Sequence, residues 1–179
     1  MRKLKLEELG RIGIKEFKQS PKANCVFVLD NVRSALNVGS AFRTADAFRI
    51  EALFLTGITA CPPHKEIMKT AIGATASVDW TYEESAVRAV QKLKSESYQI
   101  IGIEQTNQSV LLHKFQPDHQ EKVAYIFGNE VEGISEDVLP LLDKAVEIPQ
   151  FGTKHSINIS VCVGIIGWHH FLYAGQSDQ

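Results

Sequence analysis

The chain alternates between short apolar runs and longer segments in which apolar and polar residues are mixed. Apolar runs at residues 25–29, 52–55, 98–103, 123–127 and 145–148 have the length of β-strands. They lack the strict alternation of polar and apolar positions that marks a strand with one face in water. We therefore expect these strands to be covered on both faces, as in a parallel sheet.

The segments between these runs carry apolar residues at helical spacing, most clearly in residues 85–95. Ser135 is followed by Glu136 and Asp137, a pattern typical of a helix N-terminus, and predicts a helix that ends before Asp143. The predicted helices cover residues 4–17, 40–48, 64–70, 85–95, 135–142 and 158–172. Strands that alternate with helices predict a single α/β domain, with a mostly parallel open sheet and helices on both faces.

Polar residues follow the carboxyl end of each predicted strand: Asn31, residues 56–57, Gln105, residues 128–130 and residues 152–156. The carboxyl ends of parallel strands share one edge of a sheet, and open α/β sheets bind ligands there. The sequence therefore predicts a site on this edge.

Composition adds limits to this picture. The 179 residues, 44% hydrophobic and 22% charged, are typical of one globular domain. No apolar run approaches the roughly 18 residues of a membrane-spanning helix, and the basic N-terminus lacks the apolar core of a signal peptide. Cys25, Cys61 and Cys162 form no CxxC pair, which indicates reduced thiols. We expect a cytoplasmic protein without a membrane partner.

The charge is unevenly distributed. Residues 1–22 carry seven Lys/Arg and three Asp/Glu, whereas the remainder carries twelve and eighteen. A basic N-terminal segment is either the solvated face of a helix or a contact for a polyanion, and the sequence leaves both possibilities open.

Residues 128–135 have the glycine spacing and the final Ser of a phosphate-binding loop, but Ile134 replaces the Lys. Glu130 and Glu132 stand where phosphate oxygens would lie, so a cationic or neutral ligand suits this loop better than a nucleoside triphosphate. Glu130 is the candidate binding residue. The alternative is a solvated loop carboxylate or a charge at a helix end.

Two histidine pairs suggest other chemistries, which we set aside. His155 and Ser156 are adjacent and lie outside any GxSxG elbow, so they do not form a hydrolase pair. His169 and His170 point about 100° apart on a helix and do not chelate a metal together. We expect no metal site.

Three ordered segments resemble the SpoU (TrmH-like) family of RNA ribose 2'-O-methyltransferases, within the SPOUT superfamily. The first motif is NVRSALNVGSAFRT at residues 31–44, the second is IFGNEVEGI at 126–134, and the third is IPQFGTKHSINIS at 148–160. Gln150 stands where the family often has Met, and Ile157 where Leu is usual. The resemblance extends over residues 26–171.

The resemblance implies S-adenosylmethionine as cofactor, RNA as substrate, a homodimer, and a deep trefoil knot in the C-terminal part. Bulky apolar residues near the C-terminus, Trp168 and Phe171 among them, also predict a dimer interface on the last helix. The family roles in catalysis and binding map onto Asn37, Arg43, Glu130, Ser156 and Asn158. By the same match, the cofactor pocket is lined by Thr56, Gly57, Phe127, Gly128, Ile148, Ser156 and Ile157.

Arg43 is the family's candidate for activating the ribose hydroxyl. Arginine is a poor base because its pKa stays above about 12. We therefore prefer a role in which Arg43 stabilises the developing alkoxide and grips the adjacent phosphate, with a role as base as the alternative. Asn37, Ser156 and Asn158 are expected to hold the geometry through hydrogen bonds.

Three function classes remain open from the sequence. The first is the RNA 2'-O-methyltransferase, with tRNA favoured over rRNA because the chain lacks a separate RNA-binding domain. The second is a catalytically silent RNA-binding protein of the same fold. The third is a nucleotide-binding regulator built on residues 128–135. We expect a basic segment at 1–22, the methyltransferase domain at 23–175 and a tail at 176–179.

Overall fold

A computed structural model describes residues 1–118 and 120–174, so the predicted tail lies outside the described residues. Within this part of the chain, seven strands form one sheet in the order β3-β2-β1-β6-β4-β7-β5, and every neighbouring pair is parallel. The strands are β1 (Ala23–Asp30), β2 (Ile50–Thr56), β3 (Asp79–Glu83), β4 (Tyr98–Ile103), β5 (Val110–Leu111), β6 (Lys122–Phe127) and β7 (Lys144–Glu147).

The helices connect these strands in the manner of an α/β fold. They are α1 (Ile14–Gln19), α2 (Ala35–Ala47), α3 (Lys65–Ala71), α4 (Ala74–Ser77), α5 (Ala86–Ser95) and α6 (Ile159–Ala174). Short 3-10 turns occupy Leu6–Leu9, Leu112–Lys114 and Leu139–Leu141. The predicted α/β class with a parallel sheet is confirmed, while the knot stays an implication of the resemblance.

Two apolar cores lie on the two faces of the sheet. In β1, Phe27 and Leu29 belong to the core that includes α1, α2, α3 and α6, whereas Val26 and Val28 belong to the core with α5. Successive side chains of a strand point to opposite faces, so a strand buried on both faces has no polar alternation. The prediction that the apolar strands are buried on both faces is therefore confirmed for β1.

The structure corrects the predicted elements at three places. Helix α2 begins at Ala35 with Ser34 as N-cap, because the Ser34 hydroxyl accepts a hydrogen bond from the Asn37 N–H at 3.3 Å. The predicted helix at residues 4–17 is instead a 3-10 turn and the short α1, separated by Gly10 in a left-handed conformation. The helix predicted after Ser135 is wrong, since that segment holds turns and one 3-10 turn.

No helix within residues 1–118 and 120–174 combines the length and the apolarity needed to cross a membrane. The same residues contain no group of three or more His, Cys, Asp or Glu side chains arranged to hold a metal ion.

Candidate functional site

The loops after β4, β6 and β7 meet the start of α6 around a cavity of about 500 Å³ at the carboxyl edge of the sheet. Ligand cavities in proteins commonly have about 300–1,000 Å³. The cavity therefore lies where the polar loops predicted a site. Its lining includes Ile103, Glu104, Gln105, Phe127, Gly128, Asn129, Glu130, Val131, Glu132, Gly133, Ile148, Gln150, His155, Ser156, Ile157, Asn158, Ile159 and Cys162.

The second motif forms a tight turn along one wall of this cavity. Asn129 and Gly133 exchange two backbone hydrogen bonds, at 2.8 and 3.0 Å. A Cβ atom at Gly128 would overlap the backbone of Gly133 and Ile134, so only glycine fits beneath the turn. The Glu104 carboxylate accepts a hydrogen bond from the Ile134 N–H at 3.0 Å and fixes the end of the turn.

Glu130 joins the second motif to the first. Its carboxylate accepts hydrogen bonds from the Arg33 N–H at 2.9 Å, the Ser34 N–H at 3.1 Å and the Asn37 side-chain amide at 3.0 Å. These donors surround the N-terminus of α2, where backbone N–H groups lack helical partners and favour a negative charge. Glu130 therefore caps α2 from a different loop.

The same contacts shift the acidity of Glu130. Partial burial raises its pKa, but hydrogen bonds from the backbone of Arg33, Glu130 and Ser34 and from the Asn37 side chain outweigh burial. The pKa of Glu130 lies below its ordinary value as a result. Glu130 is thus held as a carboxylate beside the cavity and supplies a charge at the start of α2, while its role in binding a ligand stays a prediction.

A second link between the motifs lies deeper in the protein. Asp30 is fully buried at the end of β1, and its carboxylate accepts hydrogen bonds from the Ser135 N–H at 2.8 Å and the Ser135 hydroxyl at 3.0 Å. The Asn129 side-chain amide donates to the Asn31 carbonyl at 2.7 Å. The Ser135 hydroxyl is thus hydrogen-bonded to Asp30, and Ser135 does not cap a helix.

The third motif leads from β7 into α6. Asn158 caps that helix, because its side-chain oxygen accepts hydrogen bonds from the Ser160 N–H at 2.8 Å and the Ser160 hydroxyl at 2.6 Å. The Gln105 side chain donates to the His155 carbonyl at 2.9 Å and ties this loop to the one after β4. Ser156 is exposed and lines the cavity.

The structure places two predicted cofactor residues away from the cavity lining. Thr56 is buried, and its hydroxyl donates to the Leu29 carbonyl at 3.2 Å. Gly57 has φ +59°, and a Cβ atom there would overlap the Asn31 side chain. Thr56 thus binds the end of β1, and Gly57 leaves room for the Asn31 side chain. The contact of either residue with a cofactor stays a prediction of the resemblance.

Arg43 also lies outside this cavity. It is exposed on α2, six residues beyond Asn37, and faces a separate groove that includes Arg11 and Arg49. Within the described part of the chain, Arg43 forms no ion pair. One chain therefore brings Glu130, Ser156 and Asn158 to the cavity lining and holds Asn37 next to it through Glu130, whereas Arg43 lies apart.

The charged residues of the cavity lining are mainly acidic: Glu104, Glu130 and Glu132, with His155 as the one basic side chain in the lining. Cys162 also lines the cavity, and burial raises the pKa of its thiol to about 11. A thiol with this pKa stays protonated at neutral pH and is a weak nucleophile. The cavity thus favours a ligand that carries positive charge.

The sequence did not single out Glu104 or Cys162. Glu104 follows the third predicted strand, next to Gln105, but its role depends on the Ile134 backbone 30 residues away. Cys162 lies one helical turn after Asn158, so the period of α6 was a signal that it faces the same side.

Comparison with known proteins identifies the family. Residues 24–168 match the model of the SpoU rRNA Methylase family. The chain belongs to this family. It is 30% identical over 141 residues to the 23S rRNA (guanosine-2'-O-)-methyltransferase RlmB of Neisseria meningitidis, which covers 79% of this chain. The chain spans 55% of the length of that relative.

Solved structures of similar fold agree with this membership. The TrmH/SpoU tRNA modifying enzyme of Aquifex aeolicus has a TM-score of 0.80 at 22% identity, over 91% of this chain and 83% of that one. An AdoMet-bound rRNA methyltransferase from Sinorhizobium meliloti has a TM-score of 0.76 at 21% identity, over 86% of this chain and 59% of that one. At these identities the likeness concerns the fold.

Proposed function

We propose that this chain is an S-adenosylmethionine-dependent methyltransferase that modifies a ribose 2'-hydroxyl of structured RNA, either tRNA or rRNA. The observation that carries the proposal is the acidic cavity between the second and third motifs, joined to the first motif through Glu130. The relatives of this chain are named as RNA-modifying enzymes, and the structure of the rRNA methyltransferase from Sinorhizobium meliloti contains AdoMet.

The cavity fits the proposed cofactor in charge and in chemistry. S-adenosylmethionine carries a sulfonium and an ammonium group, and the carboxylates of Glu104, Glu130 and Glu132 offset positive charge. Apolar side chains of the lining, such as Ile148 and Ile157, offer surface for an adenine ring. A nucleoside triphosphate would meet three carboxylates instead of cations, which disfavours the nucleotide-regulator alternative.

The cofactor supplies an electrophilic methyl group when it is bound. Held beside Ile148 and Ile157, it would give that methyl group to a ribose oxygen, with the sulfur as leaving group and the hydroxyl proton released to solvent. This chain contributes orientation through Asn37, Ser156 and Asn158. Arg43 stabilises the developing negative oxygen and the adjacent phosphate.

Arg43 lies outside the cavity of its own chain, so the proposed reaction requires an arrangement that places an Arg43 side chain next to a cavity. A homodimer through α6 offers one way, because Arg43 of one copy can then approach the cavity of the other. Trp168, Phe171 and Leu172 on α6 are 49%, 46% and 43% exposed. Exposed aromatic side chains of this size are typical of an interface.

The second candidate is a catalytically silent RNA-binding protein of the same fold. It keeps the arginines but needs no cofactor. Calorimetric titration with S-adenosylmethionine separates the two, with ATP as the comparison ligand. We expect binding of S-adenosylmethionine and none of ATP, and the absence of cofactor binding would remove the enzyme proposal.

The position of the cofactor is tested in the same titration. Ile157→Ala removes apolar surface from the cavity. If about two of the lost carbons contact the cofactor, about 0.8 kcal/mol for each gives roughly ten-fold weaker binding. Leu139→Ala is the matched control, since Leu139 is exposed on the 3-10 turn and is not part of the cavity lining. Equal affinities of the two variants would place the cofactor elsewhere.

A further inference from the structure

A groove of about 430 Å³ runs between the N-terminal segment, the second half of α2 and the turn before α4. Arg11, Arg43 and Arg49 line it. A shallower depression of about 480 Å³ adjoins it, shares Arg43 and adds Lys69 from α3. We refer to Arg11, Arg49, Arg43 and Lys69 together as the basic track.

The cations of the basic track are exposed and free of carboxylate partners. In residues 1–118 and 120–174, ion pairs involve Arg2, Lys18, Arg88, Lys92 and Lys94, and none involves a residue of the basic track. Four cations without an ion pair along two adjoining depressions form a surface with surplus positive charge.

Acidic groups do little to neutralise this surface. Asp46 is the carboxylate in the lining of the two depressions, and it is half-buried and accepts a hydrogen bond from the Ser77 hydroxyl. Lys22 lies near Arg49: burial lowers the pKa of Lys22, the charge of Asp79 opposes this, and the charges of Arg49 and Lys18 lower it further. Lys22 is thus a further cation near Arg49.

We propose that the basic track binds the sugar–phosphate backbone of the RNA substrate. Guanidinium groups hold phosphate oxygens through paired hydrogen bonds, and such contacts position a nucleic acid without selecting its sequence. Four cations spread over two adjoining depressions suit a chain of phosphates better than a single phosphate group. The inference deepens the proposed function, on which it rests, because Arg43 would then connect the bound backbone to the reacting ribose.

The test uses Arg11→Gln/Arg49→Gln, two exposed positions outside the proposed chemistry. Its matched control is Arg88→Gln/Lys114→Gln, which removes the same charge from exposed positions outside the basic track. Fluorescence anisotropy with a labelled RNA duplex of arbitrary sequence gives the affinity across salt concentrations. We expect the log–log salt slope of the double variant to fall by about 0.9 for each lost phosphate contact, and that of the control to match wild type.

Arg11→Lys/Arg49→Lys completes the comparison and should keep most of the slope, because lysine still neutralises a phosphate. A slope of the Gln variant equal to that of its control would overturn the proposal. The proposal would also be overturned if polyglutamate, added at the same concentration of negative charge as the RNA, displaced the duplex. The partner would then be an acidic protein.

Titration with S-adenosylmethionine in the same preparations keeps the two proposals separable. If the Arg11→Gln/Arg49→Gln variant binds the cofactor normally and its salt slope is unchanged, only the proposal for the basic track is rejected. If the salt slope of this variant falls but the wild-type protein binds no S-adenosylmethionine, the basic track is supported and the methyltransferase proposal is rejected. Thermal unfolding of each variant confirms that the folded protein is compared.

Discussion

At the scale of single residues, Glu130 decides how the site is organised. The sequence offered two roles for it, ligand binding or a charge at a helix end. The structure shows the second role together with a place in the cavity lining. The sequence could not choose because the decisive partner, Asn37, is 93 residues away. Only the pairing of β1 with β6 brings their loops together.

Glu130→Gln tests this capping role through its dependence on pH. The folded-state pKa of Glu130 is depressed, so the carboxylate contributes stability that is fully present above its unfolded pKa. That contribution is lost as the pH falls through the folded pKa. We expect the variant to be less stable by about 1 kcal/mol at neutral pH, as for other lost caps, and the difference to vanish in acid.

Denaturant unfolding at several pH values measures this difference. Glu132→Gln is the control, since Glu132 is exposed and its side chain caps no helix. A stability loss that is constant with pH, or equal in the two variants, would contradict the capping role.

Arg43→Ala is expected to remove methyl transfer while leaving cofactor affinity unchanged, because Arg43 lies outside the cavity. Stabilisation of the transition state is lost, so the single-turnover rate at saturating RNA should fall by about 100-fold or more. Arg43→Lys should recover little, since a point charge cannot form two parallel bonds. Arg88→Ala serves as the control, and a wild-type rate for Arg43→Ala would assign the chemistry to another residue.

At the scale of elements, buried strands were predictable and edge strands were not. The predicted strand at residues 98–103 coincides with β4, and that at 123–127 lies within β6. Strand β3 was missed because it lies at the sheet edge, with exposed and half-exposed residues that give no apolar run. Strand β5, at the other edge, has only two residues.

Long-range polar contacts explain the remaining errors. Ser135 resembles an N-cap in the sequence, but the buried Asp30 binds it across 105 residues. The N-terminal basic segment is anchored to the domain, because Phe17 is buried in the core that includes α2 and α6. Substitutions in that segment are therefore a better test of RNA contact than its deletion.

Helix α6 carries the prediction about assembly. Trp168 stacks on Phe171 with ring centroids 5.6 Å apart, and both side chains remain about half exposed. We expect Trp168→Glu to convert a dimer into a monomer in sedimentation equilibrium, because a charge would be buried in the interface. Ile58→Glu, at an exposed loop position, should leave the dimer intact. A wild-type protein that is monomeric at micromolar concentration would contradict the interface.

At the scale of the whole molecule, acidic and basic side chains lie on different surfaces. The cavity lining is acidic, whereas the groove between the N-terminal segment and α2 is basic. The net charge of -2 conceals this separation. Under the proposed function, a cationic cofactor and an anionic RNA would bind at the same time, each to a surface of complementary charge.

The most direct test of the central claim is mass spectrometry of nucleosides from unmodified tRNA and rRNA after incubation with the protein and S-adenosylmethionine. The account predicts a nucleoside that is heavier by one methyl group on its ribose, formed by wild type and strongly reduced with Arg43→Ala. RNA that remains unmethylated under conditions where the protein binds the cofactor, or a methyl group found on a base, would contradict the account.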